Sequence, residues 1–197
     1  MRMKKSVIAV FLAVMCAGIG VAKAKAETDV ALSAYRAFNQ STSATNGTEV
    51  SPSNNAGFLA EARHIKHPWM GYEVTYAFNK ANQTYRTATL NTVQANAHEV
   101  TADWVVSMKV LTVRPFVLAG GGLLLFRPLL DQSLVKNDSK PVFNYGAGFD
   151  WTLIPHVGLR AQYRGNMYKV PTLSKSFTSI DKYTQSAEPV LGLYVSF

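Results

Sequence analysis

The chain carries one cysteine, Cys16, and beyond residue 26 it has no run of 18 apolar residues. The first scarcity removes disulfides and thiol chemistry from everything downstream of the N-terminal segment. The second excludes a spanning helix there, because a helix needs about 20 apolar residues to cross the hydrocarbon core. Histidine is limited to four positions and charged residues to 16% of the chain. Acidic residues are missing altogether from residues 1–26.

That N-terminal segment has its own pattern. Arg2, Lys4 and Lys5 precede an apolar stretch from Val7 to Ala22, and two overlapping A-x-A patterns end at Ala24 and Ala26. This is the layout of a bacterial-type secretory signal peptide, so cleavage after Ala26 is expected and residues 27–197 form one domain. Cys16 leaves with the signal; Met15 before it does not suit a lipoprotein site, which wants a small residue there. Five of the 20 basic residues also lie in 1–26, which leaves fifteen against the 12 acids. The net charge falls from +8 to +3, and the basic character no longer points to nucleic acid.

The remainder shows period-two alternation in eight segments, at Asp29–Phe38, Asn55–Arg63, Trp69–Asn79, Val93–Met108, Thr112–Phe126, Val142–Leu153, His156–Tyr168 and Ala187–Phe197. The links near Lys66, Lys109 and Pro155 are short. Those at 39–54, 80–92, 127–141 and 169–186 are long and polar. Alternating short and long links predict an all-β, eight-stranded antiparallel up-and-down transmembrane barrel, with periplasmic termini and extracellular loops.

The two faces of each segment separate a membrane barrel from a soluble sandwich. Met70, Tyr72, Val74, Tyr76 and Phe78 oppose Gly71, Glu73, Thr75 and Ala77; Phe143, Tyr145, Ala147, Phe149 and Trp151 oppose Asn144, Gly146, Gly148 and Asp150. Most apolar faces are free of charge, as hydrocarbon demands, since a charge at mid-bilayer costs a barrel about 2–4 kcal/mol. Aromatics recur near segment ends (Phe38, Phe58, Trp69, Phe78, Trp151, Tyr168, Phe197), where interfacial girdles belong. Two segments resist this reading. Arg36 shares the parity of Val30, Leu32, Ala34 and Phe38, so it either snorkels or is turned inward by a bulge. Thr112–Phe126 is apolar on both parities and contains Gly120, Gly121 and Gly122, so its register stays open.

The stretch from Val113 through Gly122 to Phe126-Arg127-Pro128 resembles the opacity-type and outer-membrane-protein-A-type family of small barrels. So do the hairpin Tyr145–Tyr163 and the C-terminal strand, where Leu191, Leu193, Val195 and Phe197 alternate with Gly192, Tyr194 and Ser196. The resemblance implies a monomeric barrel in a Gram-negative outer membrane. It also implies a C-terminal signal (Gly192, Tyr194, Phe197) read by the assembly machinery.

The face opposite lipid would carry Glu61, Arg63, Glu73, Glu99, Asp103, Asp150, Arg160 and Arg164. The lumen of an eight-stranded barrel is just wide enough for side chains to fill, and buried charges persist only when paired. A hairpin turning at Pro155 puts Asp150 opposite Arg160. Such a network is either a structural plug or the gate of a narrow pore.

Catalysis is not expected. Acyl-ester hydrolysis needs Ser, His and an acid presented together, and none of His64, His67, His98 and His156 stands near a serine in such a pattern. His98 and Asp103 have opposite parity and face opposite ways. No metal or other cofactor is expected. The expected function is a non-enzymatic integral outer-membrane barrel with a structural or surface-interaction role in adhesion or envelope integrity. A small gated non-specific pore is the alternative, and a lipid-A-modifying enzyme the third reading. The long links carry eight cations (Lys80, Arg86, Arg127, Lys136, Lys140, Lys169, Lys175, Lys182) against Glu49, Asp131, Asp138 and Asp181, so lipopolysaccharide and other anionic surfaces are the expected partners.

Overall fold

The computed structural model describes residues 27–40, 42–43, 49–67, 69–86, 90–129, 137–171 and 182–197. The expected signal peptide lies outside them, as do Asp131, Lys136, Lys175 and Asp181. Eight strands close an antiparallel barrel: β1 (Glu27–Asn39), β4 (Asn55–His67), β5 (Met70–Lys80), β8 (Ala95–Ser107), β9 (Val113–Pro128), β10 (Asp138–Ile154), β11 (Val157–Lys169) and β12 (Tyr183–Ser196). Each pairs with its neighbour along the chain, and β1 closes on β12 with Leu32 opposite Leu193. Their lengths, from 11 to 17 residues, suffice for tilted strands to cross hydrocarbon.

The barrel is inside-out relative to a soluble protein. Arg63, Arg160 and Arg164 are among its largest fully buried side chains, whereas Trp104, Leu191, Leu123 and Phe143 are more than half exposed. A sandwich whose apolar faces meet inside is thereby excluded. The exposed band is a surface that hydrocarbon, not water, accommodates.

Both ambiguous segments resolve by plain alternation. β1 keeps one register against β4 and β12, so no bulge turns Arg36 inward; it lies on the outer face with its guanidinium 5.3 Å from the Phe38 ring centroid. In β9, Arg114, Phe116, Leu118, Leu124 and Phe126 point inward, while Val113, Val117 and Leu123 point out. Gly120 and Gly122 occupy inward positions where a Cβ would strike the Ala102 and Val100 carbonyls of β8, which accounts for the glycine run. One aromatic corrects the girdle expectation. Tyr168 has inward parity and is buried inside the barrel.

The first two long links are not plain loops. Short strands β2 (Thr42–Ser43), β3 (Glu49–Pro52), β6 (Gln83–Arg86) and β7 (Leu90–Val93) form a second antiparallel sheet in the order β2-β3-β6-β7. Val93, expected to start a barrel strand, belongs to this sheet. Alternation missed it because the segments are two to four residues long and polar, held by backbone pairing between two links distant in sequence. Hydrogen bonds from Ser53 N to Asn82 O (2.9 Å) and from Asn39 Nδ2 to Ser53 O (2.9 Å) tie its base to the barrel rim. At the other end the turns are tight. His156, expected within a strand, instead sits in the turn after Pro155 with φ 68°.

Candidate functional site: the barrel lumen

All eight charged residues expected on the inner face are buried within the barrel. The structure adds three that were not singled out: Asp29, Arg114 and Glu188. Asp29 and Glu188 share the parity of inward residues on β1 and β12, so that signal was available. Arg114 was hidden because β9 is apolar on both faces. The lumen thus holds four arginines against seven carboxylates, and these fall into two groups along the barrel axis.

The group nearer the short turns is dense. Arg160 donates from Nε to Asp150 Oδ1 at 2.7 Å, from Nη2 to Asp150 Oδ2 at 3.1 Å and from Nη1 to Glu73 Oε2 at 3.3 Å. Its fork thereby grips Asp150 in the two-point geometry that makes arginine–carboxylate pairs strong. Asp150 is the register partner of Arg160 across the hairpin that turns at Pro155. Arg63 donates to the same two acids, to Glu73 at 2.8 Å and to Asp150 at 3.0 Å. Its guanidinium lies 3.9 Å from the Phe116 ring centroid, a cation–π contact in a desolvated site. Arg114 bonds Asp29 at 3.1 Å and pairs with Glu27 at the rim. Gln162 and Ser33 satisfy Glu61 at 2.6 and 2.8 Å. Tyr194 closes this end, its hydroxyl 2.9 Å from Thr152 Oγ1.

The group nearer the long links is sparser. Arg164 is its one arginine, donating to Glu99 Oε1 at 2.6 Å with Nη1 3.6 Å from Glu188 Oε2. Asn166 bridges Glu99 and Glu188 through Nδ2 at 2.8 and 3.2 Å. Asp103 receives Thr101 and Asn144, each at 3.1 Å. Apolar residues fill the rest: Ala95, Ala97, Leu124, Phe126, Val142, Tyr168 and Val170 form one buried cluster, and Tyr35, Ala37, Leu59, Ala77 and Val190 another. Between them a cavity of about 30 Å³, room for one or two waters, is lined by Asn79, Glu99, Asn166 and Glu188 among others.

The histidines do not converge. His64 bonds Thr28 Oγ1 at 3.0 Å, His98 bonds Tyr76 at 2.9 Å and His156 bonds the Ser196 carbonyl at 3.0 Å. No group of three or more His, Cys, Asp or Glu among the described residues is arranged to hold a metal ion. Of the expected C-terminal signal, Gly192 pairs with Ser33 and Tyr194 with Ala31 across the closing seam, while Phe197 is exposed.

An apolar exterior, a charged interior and eight strands closed first to last leave one class of architecture. This is the fold of the small outer-membrane β-barrels. Neisserial surface protein A superposes with a TM-score of 0.60 at 14% identity, covering 88% of this chain and 98% of that one. OprG from Pseudomonas aeruginosa gives 0.63 at 12% identity, covering 89% and 97%. Ail, the attachment invasion locus protein of Yersinia pestis, gives 0.55 at 17% identity, covering 88% and 100%, in a complex with the heparin analogue sucrose octasulfate. No family model matches the sequence, and no curated protein matches it. The architecture is the one that the opacity-type resemblance implies.

Proposed function

We propose that this barrel resides in a bacterial outer membrane after signal cleavage. Its termini and short turns face the periplasm, and its long links face outward to bind anionic surface polymers. It is monomeric and non-enzymatic, sits among lipopolysaccharide, and presents Gly192, Tyr194 and Phe197 to the assembly machinery. The observation that carries this reading is the long-link rim. Lys80 of β5, Asn96 of β8 and Arg127 of β9 are successive register partners on the outer face, so the two exposed cations flank one amide in a single row. The second sheet stands on the same rim and gives this end an ordered backbone. Eight cations against four acids across the long links supply the charge for a sulfated or phosphorylated polymer. The heparin analogue bound by Ail makes a sulfated polysaccharide the natural probe.

The purified protein in detergent is expected to be retained on immobilised heparin at low salt and released as salt screens the charges. A Lys80→Gln/Arg127→Gln variant should elute earlier, with the barrel intact by heat-modifiable gel mobility. Absence of retention at low salt would sink the reading. The densely paired group near the short turns supports a plug, and discrete conductance steps in a planar bilayer would count against it.

A further inference from the structure

We propose that the outer wall of the barrel beside the β1–β12 seam is a docking site for a lipid with an anionic phosphate headgroup, seated on Arg36 and Lys80. The inference rests on the proposed membrane location, with the long links facing outward. Arg36 lies exposed on the lipid-facing wall three residues before the end of β1, with Phe38 between it and the rim. A charge on that wall is costly unless it is met by an opposite one, and the Phe38 ring 5.3 Å away brings no full charge. Among the described residues, no carboxylate pairs with Arg36, Lys80 or Arg127. These three cations are in register. Arg36 is the partner of Ala56, the β4–β5 register carries Ala56 to Lys80, and Asn96 and Arg127 continue the row. Successive cations are thus two strands apart, roughly 10 Å, with only Ala56 or Asn96 between them. Barrel strands tilt, so the row climbs the wall from Arg36 to Arg127, one residue from the end of β9. One outward position below it, Phe58, Phe78 and His98 sit side by side with ring centroids 5.5 and 5.1 Å apart, as in an interfacial belt. Beside Arg36 a groove of about 260 Å³ opens on the outer face, lined by Ala34, Arg36, Pro189 and Leu191 among others. Pro189 has no N–H, and the β1–β12 ladder is interrupted there between Tyr35 and Phe38. Cations above an apolar groove match a lipid, its phosphate on Arg36 and Lys80 and an acyl chain along Ala34 and Leu191. A soluble anion would use the cations and leave the groove empty.

Native mass spectrometry of the purified protein, released from non-ionic detergent, tests the site. The probe is diphosphoryl lipid A, and zwitterionic phosphatidylcholine is the control. Retention of lipid A well above phosphatidylcholine is expected. Arg36→Gln should lower that retention about fivefold, the effect of one cation at a membrane surface. Ala34→Phe, which fills the groove and leaves the cations in place, should lower it too. Lys66→Gln, an exposed cation at the short-turn end, should leave it unchanged. Each variant is checked for an intact barrel by heat-modifiable gel mobility. Heparin retention of the same samples keeps this site distinct from the polymer site, because Arg36→Gln leaves Lys80 and Arg127 in place. If the wild type holds heparin and no lipid A, the inference falls and the polymer site stands. If it holds lipid A in an Arg36-dependent way and no heparin, the polymer site falls and the inference stands. The inference is also overturned if Arg36→Gln and Ala34→Phe both retain lipid A like wild type, or if Lys66→Gln loses as much as Arg36→Gln. Displacement of the lipid by millimolar inorganic phosphate would overturn it as well, because the groove would then add nothing.

Discussion

The two halves of the lumen use the same residue types to different ends. Near the short turns, three arginines face four buried carboxylates and most of their oxygens receive a donor. Near the long links, one arginine faces three carboxylates, and Asn79, Asp103, Asn144, Asn166 and Glu188 each keep an oxygen that receives none. A buried ion pair holds only where its remaining polar atoms are also bonded, and the first group comes nearer to that, with Asp29 Oδ1, Arg63 Nη2 and Gln162 Oε1 its unmet atoms. The second has more carboxylates than its one arginine can pair. The difference is one of arginine supply: β4, β9 and β11 deliver Arg63, Arg114 and Arg160 to one level, and only Arg164 reaches the other.

The largest test of that contrast is Arg160→Met. Arg160 touches Asp150, Glu73, Glu61 and Asp29, at 2.7, 3.3, 3.8 and 3.7 Å. Its removal strands carboxylates that Arg63 and Arg114 cannot both serve, and breaking a buried pair from one side costs about 3–5 kcal/mol. Urea unfolding followed by tryptophan fluorescence should show a loss of that order. A loss below about 1 kcal/mol would mean that the dense group is not what stabilises the barrel.

Much of this was legible from parity. Glu61, Glu73, Glu99, Asp103 and Asp150 were placed inside because each alternates with lipid-compatible neighbours, and period-two geometry leaves no other face for them. The same rule covers Asp29 and Glu188, which needed only to be counted. Parity failed where both faces are apolar. In β9, Phe116, Leu118, Leu124 and Phe126 are themselves part of the plug, so hydrophobicity did not mark lipid, and Arg114 stayed unplaced. Tyr168 misled for the converse reason, being an aromatic at a strand end whose parity points inward. The second sheet was invisible because its backbone pairing joins links more than thirty residues apart. The contrast between the halves depends on which donors reach which acceptors across the lumen, and no single strand's pattern encodes that.

Glycine substitutions sharpen the comparison at intermediate effect. Gly57 and Gly158 are register partners of Tyr35 and Tyr194, and a Cβ at either would meet the covering tyrosine ring and a backbone carbonyl of the adjacent strand. Tyrosine over glycine across a strand pair is a device that pins register. Tyr194 is held by Thr152 in the dense half, whereas Tyr35, hydrogen-bonded to Asn79, borders the cavity. Gly158→Ala should therefore cost about 1–3 kcal/mol, as overpacking does, and Gly57→Ala clearly less. Equal costs in urea unfolding would mean that the cavity gives no slack.

The smallest effect carries the most diagnostic sign. Asp103 is the register partner of Glu73, a like-charge pair across β5 and β8, and its Oδ1 receives no hydrogen bond. Asp103→Asn keeps the shape, retains an acceptor for Thr101 and removes one of the three carboxylates that share the single Arg164. Relief of repulsion across that distance is worth on the order of 1 kcal/mol at the effective dielectric of such sites. The variant should match or slightly exceed the wild type in stability. Asp150→Asn, which removes the charge that Arg63 and Arg160 share, should be clearly destabilised. If both substitutions cost alike, the excess charge near the long links is balanced in a way the lumen residues do not show, and the contrast between the two halves collapses.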